Sequence, residues 1–360
     1  MQNKRITVII RATEDCNLAC KYCYTKTYTR HEVLSLDIFK KMLKELLFFF
    51  DEITLIRQGG EPLLAGKEYF KEVVKIENTL IENASKQIKI INKLQTNGTL
   101  IDQEWAELFK KFGFGVGVSL DGYKEINDSN RIFKGGRGSF ESAMNGINIL
   151  KQNNVNFGIL SVMTRGILNS VEKYYQFVKE HNFRFRINPC LINKREHPEL
   201  QILPDEWGEA MISLFDLWYQ DNNPPMCMNF VEIIKSFFTG YNTTCVFNTS
   251  CFSDFLSVIP SGDMFPCARL IGEDEKFYLG NIKKDALRSI LSKKKTLVRN
   301  YDRLGCEDCK WKRICYGGCT AHAYWAYGDV NTRDYLCEGL KMLFSHMYQT
   351  VKNDLKVNRR

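Results

Sequence analysis

Ile53-Thr54-Leu55-Ile56-Arg57-Gln58-Gly59-Gly60-Glu61-Pro62 passes from a short apolar, β-branched strand into a glycine turn, and a helical pattern from Lys67 to about Asn83 follows it. The same sequence of strand, polar turn and helix recurs on both sides. Upstream, Ile6 to Arg11 reads as a strand, and Ser35 and Asp37 are cap candidates for an amphipathic stretch running through Phe50. Downstream, Ile88 to Leu94 ends in Gln95-Thr96-Asn97-Gly98 before a helix over Gln103 to Lys111. Phe114 to Leu120 ends in Asp121-Gly122 before a helix over Phe140 to Gln152. Val155 to Met163 and Phe183 to Asn188 supply a fifth and a sixth strand around a helix over Ser170 to Lys179. Six such units with near-continuous apolar strands predict a parallel sheet covered by helices, either open or curled into part of a barrel. In these sheets a ligand sits at the carboxyl ends of the strands, where each of the polar motifs falls.

The chain has 360 residues, 44% hydrophobic and 26% charged, which is enough apolar material for a substantial core and excludes disordered and fibrous classes. No apolar run approaches the roughly 20 residues of a membrane-spanning helix; the longest, Leu46 to Phe50, meets Asp51 and Glu52 at once. Nor does the start resemble a cleavable signal peptide, so no membrane and a cytoplasmic location are expected. The net charge of +8 is spread over Lys40 to Lys44, Lys283 to Lys295 and Lys310 to Arg313, which reads as a solvated surface with no nucleic-acid partner.

Thirteen cysteines are too many and too oddly numbered for an ordinary core or a disulfide scaffold of this length, and metal ligation is the better reading in a reducing compartment. Cys16, Cys20 and Cys23 form one group, and the next cysteine is Cys190. After Pro204 come helical stretches at Asp205 to Gln220 and Asn229 to Phe238, a Cys- and Gly-rich segment from Cys245 to Cys337, and a closing helix at Glu338 to Lys352. The expected domains are 1–203, a connector at 204–240, a metal-organised domain at 241–340, and a terminal helix and tail at 341–360.

Cys16-Asn17-Leu18-Ala19-Cys20-Lys21-Tyr22-Cys23 follows the first strand directly. Three thiolates in one loop can each grip one iron of a 4Fe-4S cube and leave the fourth iron open to a substrate or cofactor. A zinc loop or buried thiols are the alternatives.

The CxxxCxxC loop, with Tyr22 and Tyr24 beside it, resembles the signature of radical S-adenosylmethionine enzymes. That resemblance implies a partial (β/α)6 barrel. It also implies that the amino and carboxylate groups of S-adenosylmethionine chelate the open iron and that a 5′-deoxyadenosyl radical abstracts hydrogen from the substrate. Gly59, Gly60 and Glu61 resemble the family's GGEP motif, whose backbone and carboxylate meet the methionine amino group. Ser119 resembles its ribose contact and Arg131 a carboxylate contact, while Tyr22 and Leu191 match positions that enclose the cofactor.

Cys306-x2-Cys309-x5-Cys315-x3-Cys319, followed by Cys337 and preceded by Cys251-x10-Gly262-x4-Cys267, resembles the SPASM domain of peptide- and protein-modifying radical enzymes. With Cys245 this makes eight thiolates for two auxiliary iron-sulfur clusters, three 4Fe-4S clusters in all. The resemblance assigns one to Cys245, Cys251, Cys267 and Cys319, and the other to Cys306, Cys309, Cys315 and Cys337. Zinc is the rival for this segment. Cys227 reads as packing, and Cys190 as packing near the mouth of the site.

The strings at 57–62, 94–100 and 118–122, with the eight-cysteine spacing, resemble anaerobic sulfatase-maturating enzymes, which oxidise a Cys or Ser to formylglycine. Those enzymes place an Asp base directly after the equivalent of Cys267; here the residue is Ala268, a methyl group that cannot take a proton. The expectation is therefore a radical maturase forming a thioether or carbon-carbon crosslink in a ribosomally made precursor peptide, with formylglycine formation as the alternative. A peptide or protein substrate and a flavodoxin- or ferredoxin-type reductant are the implied partners. The start at strand one leads us to expect no separate leader-binding domain ahead of the barrel.

Overall fold

The computed structural model describes residues 4–25, 32–191, 197–242, 244–248, 251–297 and 302–357. In chain order the barrel half contains β1 (Arg5–Arg11), α1 (Leu36–Phe49), β2 (Glu52–Gln58), α2 (Lys67–Glu82), β3 (Lys89–Thr96), α3 (Gln103–Lys111) and β4 (Gly115–Ser119). It continues with α4 (Lys124–Asn130), α5 (Phe140–Gln152), β5 (Phe157–Met163), α6 (Arg165–Leu168), α7 (Val171–Glu180) and β6 (Phe185–Pro189). The expected six strand–helix units are therefore present, with boundaries moved by a few residues. After them come α8 (Pro204–Gln220), α9 (Met228–Thr239), α10 (Cys251–Asp254), β7 (Phe255–Val258), β8 (Asp263–Phe265), β9 (Gly280–Asn281), α11 (Leu287–Thr296), α12 (Lys312–Cys315), α13 (Thr320–Tyr327) and α14 (Cys337–Val357).

Two compact units result, the first comprising Met1–Ser119, Arg131–Phe157 and Phe252–Val298, and the second Leu120–Asn130, Gly158–Cys251 and Arg299–Arg360. In the first, β1 to β4 pair in parallel, with Val8 opposite Leu55 and Leu55 opposite Asn92. The unexpected element is β7, which pairs in parallel with the free edge of β1 and extends the sheet through antiparallel β8 and β9. Part of the cysteine-rich segment thus completes the first sheet, a pairing across some 240 residues that no local pattern announces.

Alternation explains the core of this unit. Ile6, Val8 and Ile10 of β1 and Ile53 and Leu55 of β2 face the helices, where they meet Phe39, Met42, Leu43 and Leu46 of α1. Ser35 caps α1 as expected, its hydroxyl accepting from Ile38 N–H. Arg57 lies on this same outer face. It is buried, pairs with Glu77 of α2, and donates to Asn92 Oδ1 at 2.7 Å, while Asn92 donates to Glu77 Oε2 at 2.6 Å. Every charge in that trio is answered, as burial requires.

In the second unit β5 and β6 pair in parallel, Ile159 opposite Phe185. Asn229 of α9 holds the end of β6 by exchanging two hydrogen bonds with the Ile187 backbone. α8 begins with Pro204 at its first turn, and Glu206 accepts from Leu203 N–H at 2.8 Å. Among the described residues no helix is long and apolar enough to cross a membrane.

Candidate active site and cluster ligands

The loop that follows β1 is locked from three sides within the first unit. Leu18 bridges Phe133, and Ala19 N–H donates to Ile132 O at 2.7 Å. Gly60 N–H donates to Thr13 O at 3.0 Å and Glu61 N–H to Asp15 O at 2.6 Å. A Cβ on Gly60 would lie 1.9 Å from the Asp15 carbonyl oxygen, and Gly59 sits at φ +144°. The close approach that this glycine pair permits is thus to the chain's own 13–15 backbone.

Cys16, Cys20 and Cys23 are brought together there. Burial pushes the Cys16 thiol up to about 12, the Leu18 N–H opposes this, and Glu61, Cys20 and Cys23 add repulsion. Cys16 Sγ accepts from Leu18 N–H at 3.4 Å, and Cys23 Sγ lies 3.0 Å from Thr25 Oγ1. Crowded, partly buried thiols that repel one another as thiolates are what a cationic iron cluster would relieve, so the residues fit the group. Among the described residues no three His, Cys, Asp or Glu side chains converge as a single metal ion requires. A cube instead spreads its sulfur ligands over separate irons.

Glu61 is held by its own chain. It is 0% exposed, and Oε1 accepts from Leu63 N–H at 3.1 Å and from the Thr96 hydroxyl at 2.7 Å, while Oε2 accepts from Asn97 N–H at 2.7 Å. Burial pushes the Glu61 carboxyl up to about 7 against these three donors. The carboxylate fastens the GGEP turn to the end of β3.

Arg131 and Tyr22 meet, the guanidinium lying 5.4 Å from the ring centroid. Ser139 donates twice to Arg131 O, fixing that segment. Ser119, at the end of β4, accepts from Gln95 Nε2 at 2.8 Å, which leaves its own hydroxyl hydrogen available to a ligand. Leu191 is half-buried after β6 in the second unit.

Ala268 follows Cys267 in a short turn of the first unit. It is 2% exposed, and its carbonyl accepts from Arg11 Nη2 at 3.3 Å. Arg11, 2% exposed, also pairs with Glu14 at 3.6 Å. Tyr24, 39% exposed, lies near Arg11 and Arg269. Sequence reading had passed over Arg11, whose only signal was a charge closing an apolar strand.

In the second unit Cys306, Cys309, Cys315 and Cys337 come together. Burial pushes the Cys315 thiol strongly up, and Asp334, Cys337, Cys306 and Cys309 add to it; burial likewise takes Cys337 to about 11. The turn between Cys315 and Cys319 runs through three left-handed residues, Tyr316, Gly317 and Gly318. Arg303, fully buried, donates to Gly317 O at 2.9 Å and Gly318 O at 3.0 Å. Asp334 accepts from Cys319 N–H at 2.5 Å and faces His322 at 3.2 Å. Neither Arg303 nor Asp334 had a motif to mark it. Cys245 is exposed, and Cys251 and Cys319 are buried in this unit. Cys190 and Cys227 are buried, burial raising both thiols to about 12, which suits packing.

Residues 10–178 match the radical SAM superfamily and residues 250–320 an iron-sulfur cluster-binding domain. A cysteine-type anaerobic sulfatase-maturating enzyme of Clostridium novyi (strain NT) is 30% identical, over 95% of each chain. The chain belongs to that family of radical S-adenosylmethionine enzymes. A serine-type member from Klebsiella aerogenes is also 30% identical, over 92% of this chain and 82% of that protein. The solved structure of native anSMEcpe with bound AdoMet and the Cp18Cys peptide superposes with a TM-score of 0.87 at 28% identity, covering 99% of this chain and all of that one. Like its family, the chain is an enzyme acting on a protein or peptide residue, and iron-sulfur clusters and S-adenosylmethionine are its cofactors.

Proposed function

We propose that this chain oxidises a Cys or Ser side chain of a protein substrate to formylglycine. The observation that supports this most is the 30% identity to a sulfatase-maturating enzyme over 95% of both chains. The sequence reading had ranked crosslink formation first because of Ala268; whole-length likeness favours the reverse order. Crosslinking of a precursor peptide stays as the second reading, supported by the buried methyl of Ala268 where a base is needed.

In this proposal Cys16, Cys20 and Cys23 hold the first cluster, and Cys306, Cys309, Cys315 and Cys337 one auxiliary cluster. The assignment of Cys245, Cys251, Cys267 and Cys319 rests on the resemblance alone. Bound at the first loop, the cluster and S-adenosylmethionine supply hydrogen-atom abstraction. The chain's own residues place them: Glu61 fixes the glycine turn whose backbone meets the methionine amino group, Arg131 offers a cation held flat on Tyr22, and Ser119 offers a hydroxyl oriented by Gln95. A flavodoxin- or ferredoxin-type protein is the proposed reductant.

The test is anaerobic incubation with S-adenosylmethionine, dithionite and sulfatase-type Cys and Ser peptides. Hydrazide-reactive aldehyde is the expected product. On a Ser peptide an aldehyde and a crosslink both lose two hydrogens, so hydrazide reactivity decides between them. Two-hydrogen loss without aldehyde would replace the first reading with the second.

A further inference from the structure

In the string Gln95-Thr96-Asn97-Gly98-Thr99 at the end of β3, the side chains of Asn97 and Thr99 have no part in the function above, and they form a network against the cysteine loop. Asn97 Oδ1 accepts from Thr99 N–H at 3.0 Å and from the Thr99 hydroxyl at 2.7 Å. A backbone N–H can only donate, so the oxygen of this amide must face Thr99, and Nδ2 must face the other way. On that side it donates to Asn17 Oδ1 at 2.8 Å and points at Cys16 Sγ at 3.9 Å. Asn17 Nδ2 donates back to Thr99 Oγ1 at 2.8 Å, and Asn97 N–H is bound by Glu61. Gly98, at φ +78° with its missing Cβ 2.7 Å from Val118, lets the turn sit this close. Asn97 is 8% exposed. Of the two hydrogens on Asn97 Nδ2, one goes to Asn17 Oδ1 and the other faces the Cys16 sulfur.

We propose that Asn97 is a positioning residue for the first cluster, its amide N–H directed at the Cys16 sulfur by Thr99 and Asn17 so that the cluster is easier to reduce. The inference rests on Cys16, Cys20 and Cys23 holding that cluster. A hydrogen bond to a ligating sulfur withdraws charge and stabilises the more negative, reduced state, so its presence raises the potential. An electron must enter this cluster before S-adenosylmethionine is cleaved, and the network therefore bears on the first step of turnover.

The experiment is an EPR-monitored redox titration of the reconstituted full chain, with the Cys16/Cys20/Cys23→Ala variant as the auxiliary-cluster reference. That reference must lose one cluster and keep the others; if it does not, the ligand reading fails, independently of Asn97. In Asn97→Ala the first cluster's potential should move to more negative values, and in Asn97→Asp further still, because a carboxylate oxygen then faces the sulfur. Dithionite-driven S-adenosylmethionine cleavage should fall roughly 10- to 100-fold in both. Full loading with an unchanged potential overturns the inference. Should Asn97→Ala fail to load the first cluster, Thr99→Val decides, since it loosens the amide without removing it: a smaller negative shift supports the proposal and no shift overturns it.

Discussion

The cysteine loop at 16–23 and the cysteines at 306–337 hold their sulfurs by different means. Around the first, the neighbours are polar or charged side chains: Asn97 beside Cys16, Thr25 beside Cys23, and Arg131 over the ring of Tyr22. Around the second, the chain closes on itself. A left-handed turn is tied down by Arg303, and Trp311 packs against Phe344 and Tyr348 of α14, the helix that Cys337 opens. Three thiols in a polar frame leave a coordination position to fill, whereas four in an aromatic and backbone frame leave none. On the proposed ligation one loop serves chemistry and the other retention, and substitutions can separate the two.

The largest effect is expected from Cys16, Cys20 and Cys23 replaced together by Ala. Iron and sulfide should fall from about twelve each per chain to about eight, as the loss of one cube of three requires, and S-adenosylmethionine cleavage should cease. Cys306→Ala with Cys309→Ala should lower iron by a similar amount yet retain cleavage of S-adenosylmethionine in the absence of peptide. Cleavage surviving in the first variant, or vanishing in the second, would erase the distinction between the loops.

Glu61→Ala should come next. It strands Leu63 N–H, the Thr96 hydroxyl and Asn97 N–H in a buried site, at roughly 1–3 kcal/mol for each donor left unsatisfied. First-cluster iron and the melting temperature should fall together, while the auxiliary clusters still load. Normal loading with weakened S-adenosylmethionine binding would show instead that the carboxylate serves the cofactor more than the fold. Arg303→Ala is the counterpart in the other region. It removes two buried hydrogen bonds, to the Gly317 and Gly318 carbonyls, and should lower auxiliary-cluster content while S-adenosylmethionine still binds.

What was legible follows from where the information lies. The strands, the Ser35 cap, the extents of α8, α9 and α14, and the cysteine groups are local patterns of two, three or four residues, and each was readable. The pairing of β7 with β1 is an encounter between remote edges with no local period. The burial of Arg11 and Arg303 depends on carbonyls supplied by Ala268 and by Gly317 and Gly318. Glu61 was found as a motif, but its three intrachain donors were not, since a conspicuous carboxylate at a strand end reads alike whether or not donors of its own chain also meet it.

Ser119→Ala should have the smallest effect and gives the finest test of the open loop. Ser119 Oγ accepts from Gln95 Nε2 at 2.8 Å, and Gln95 is wedged by Gly117, where a Cβ would lie 2.2 Å from its Oε1. The amide therefore fixes the hydroxyl oxygen and leaves the hydrogen to point at a ligand oxygen. Removing one neutral hydrogen bond costs about 0.5–1.5 kcal/mol, or roughly 2- to 12-fold in Kd at 1.4 kcal/mol per decade. Anaerobic calorimetry with S-adenosylmethionine should show that weakening, with cluster absorbance unchanged because no sulfur is touched. An unchanged Kd would remove Ser119 from the binding surface. Lost absorbance would show that the end of β4 also supports the cluster loop.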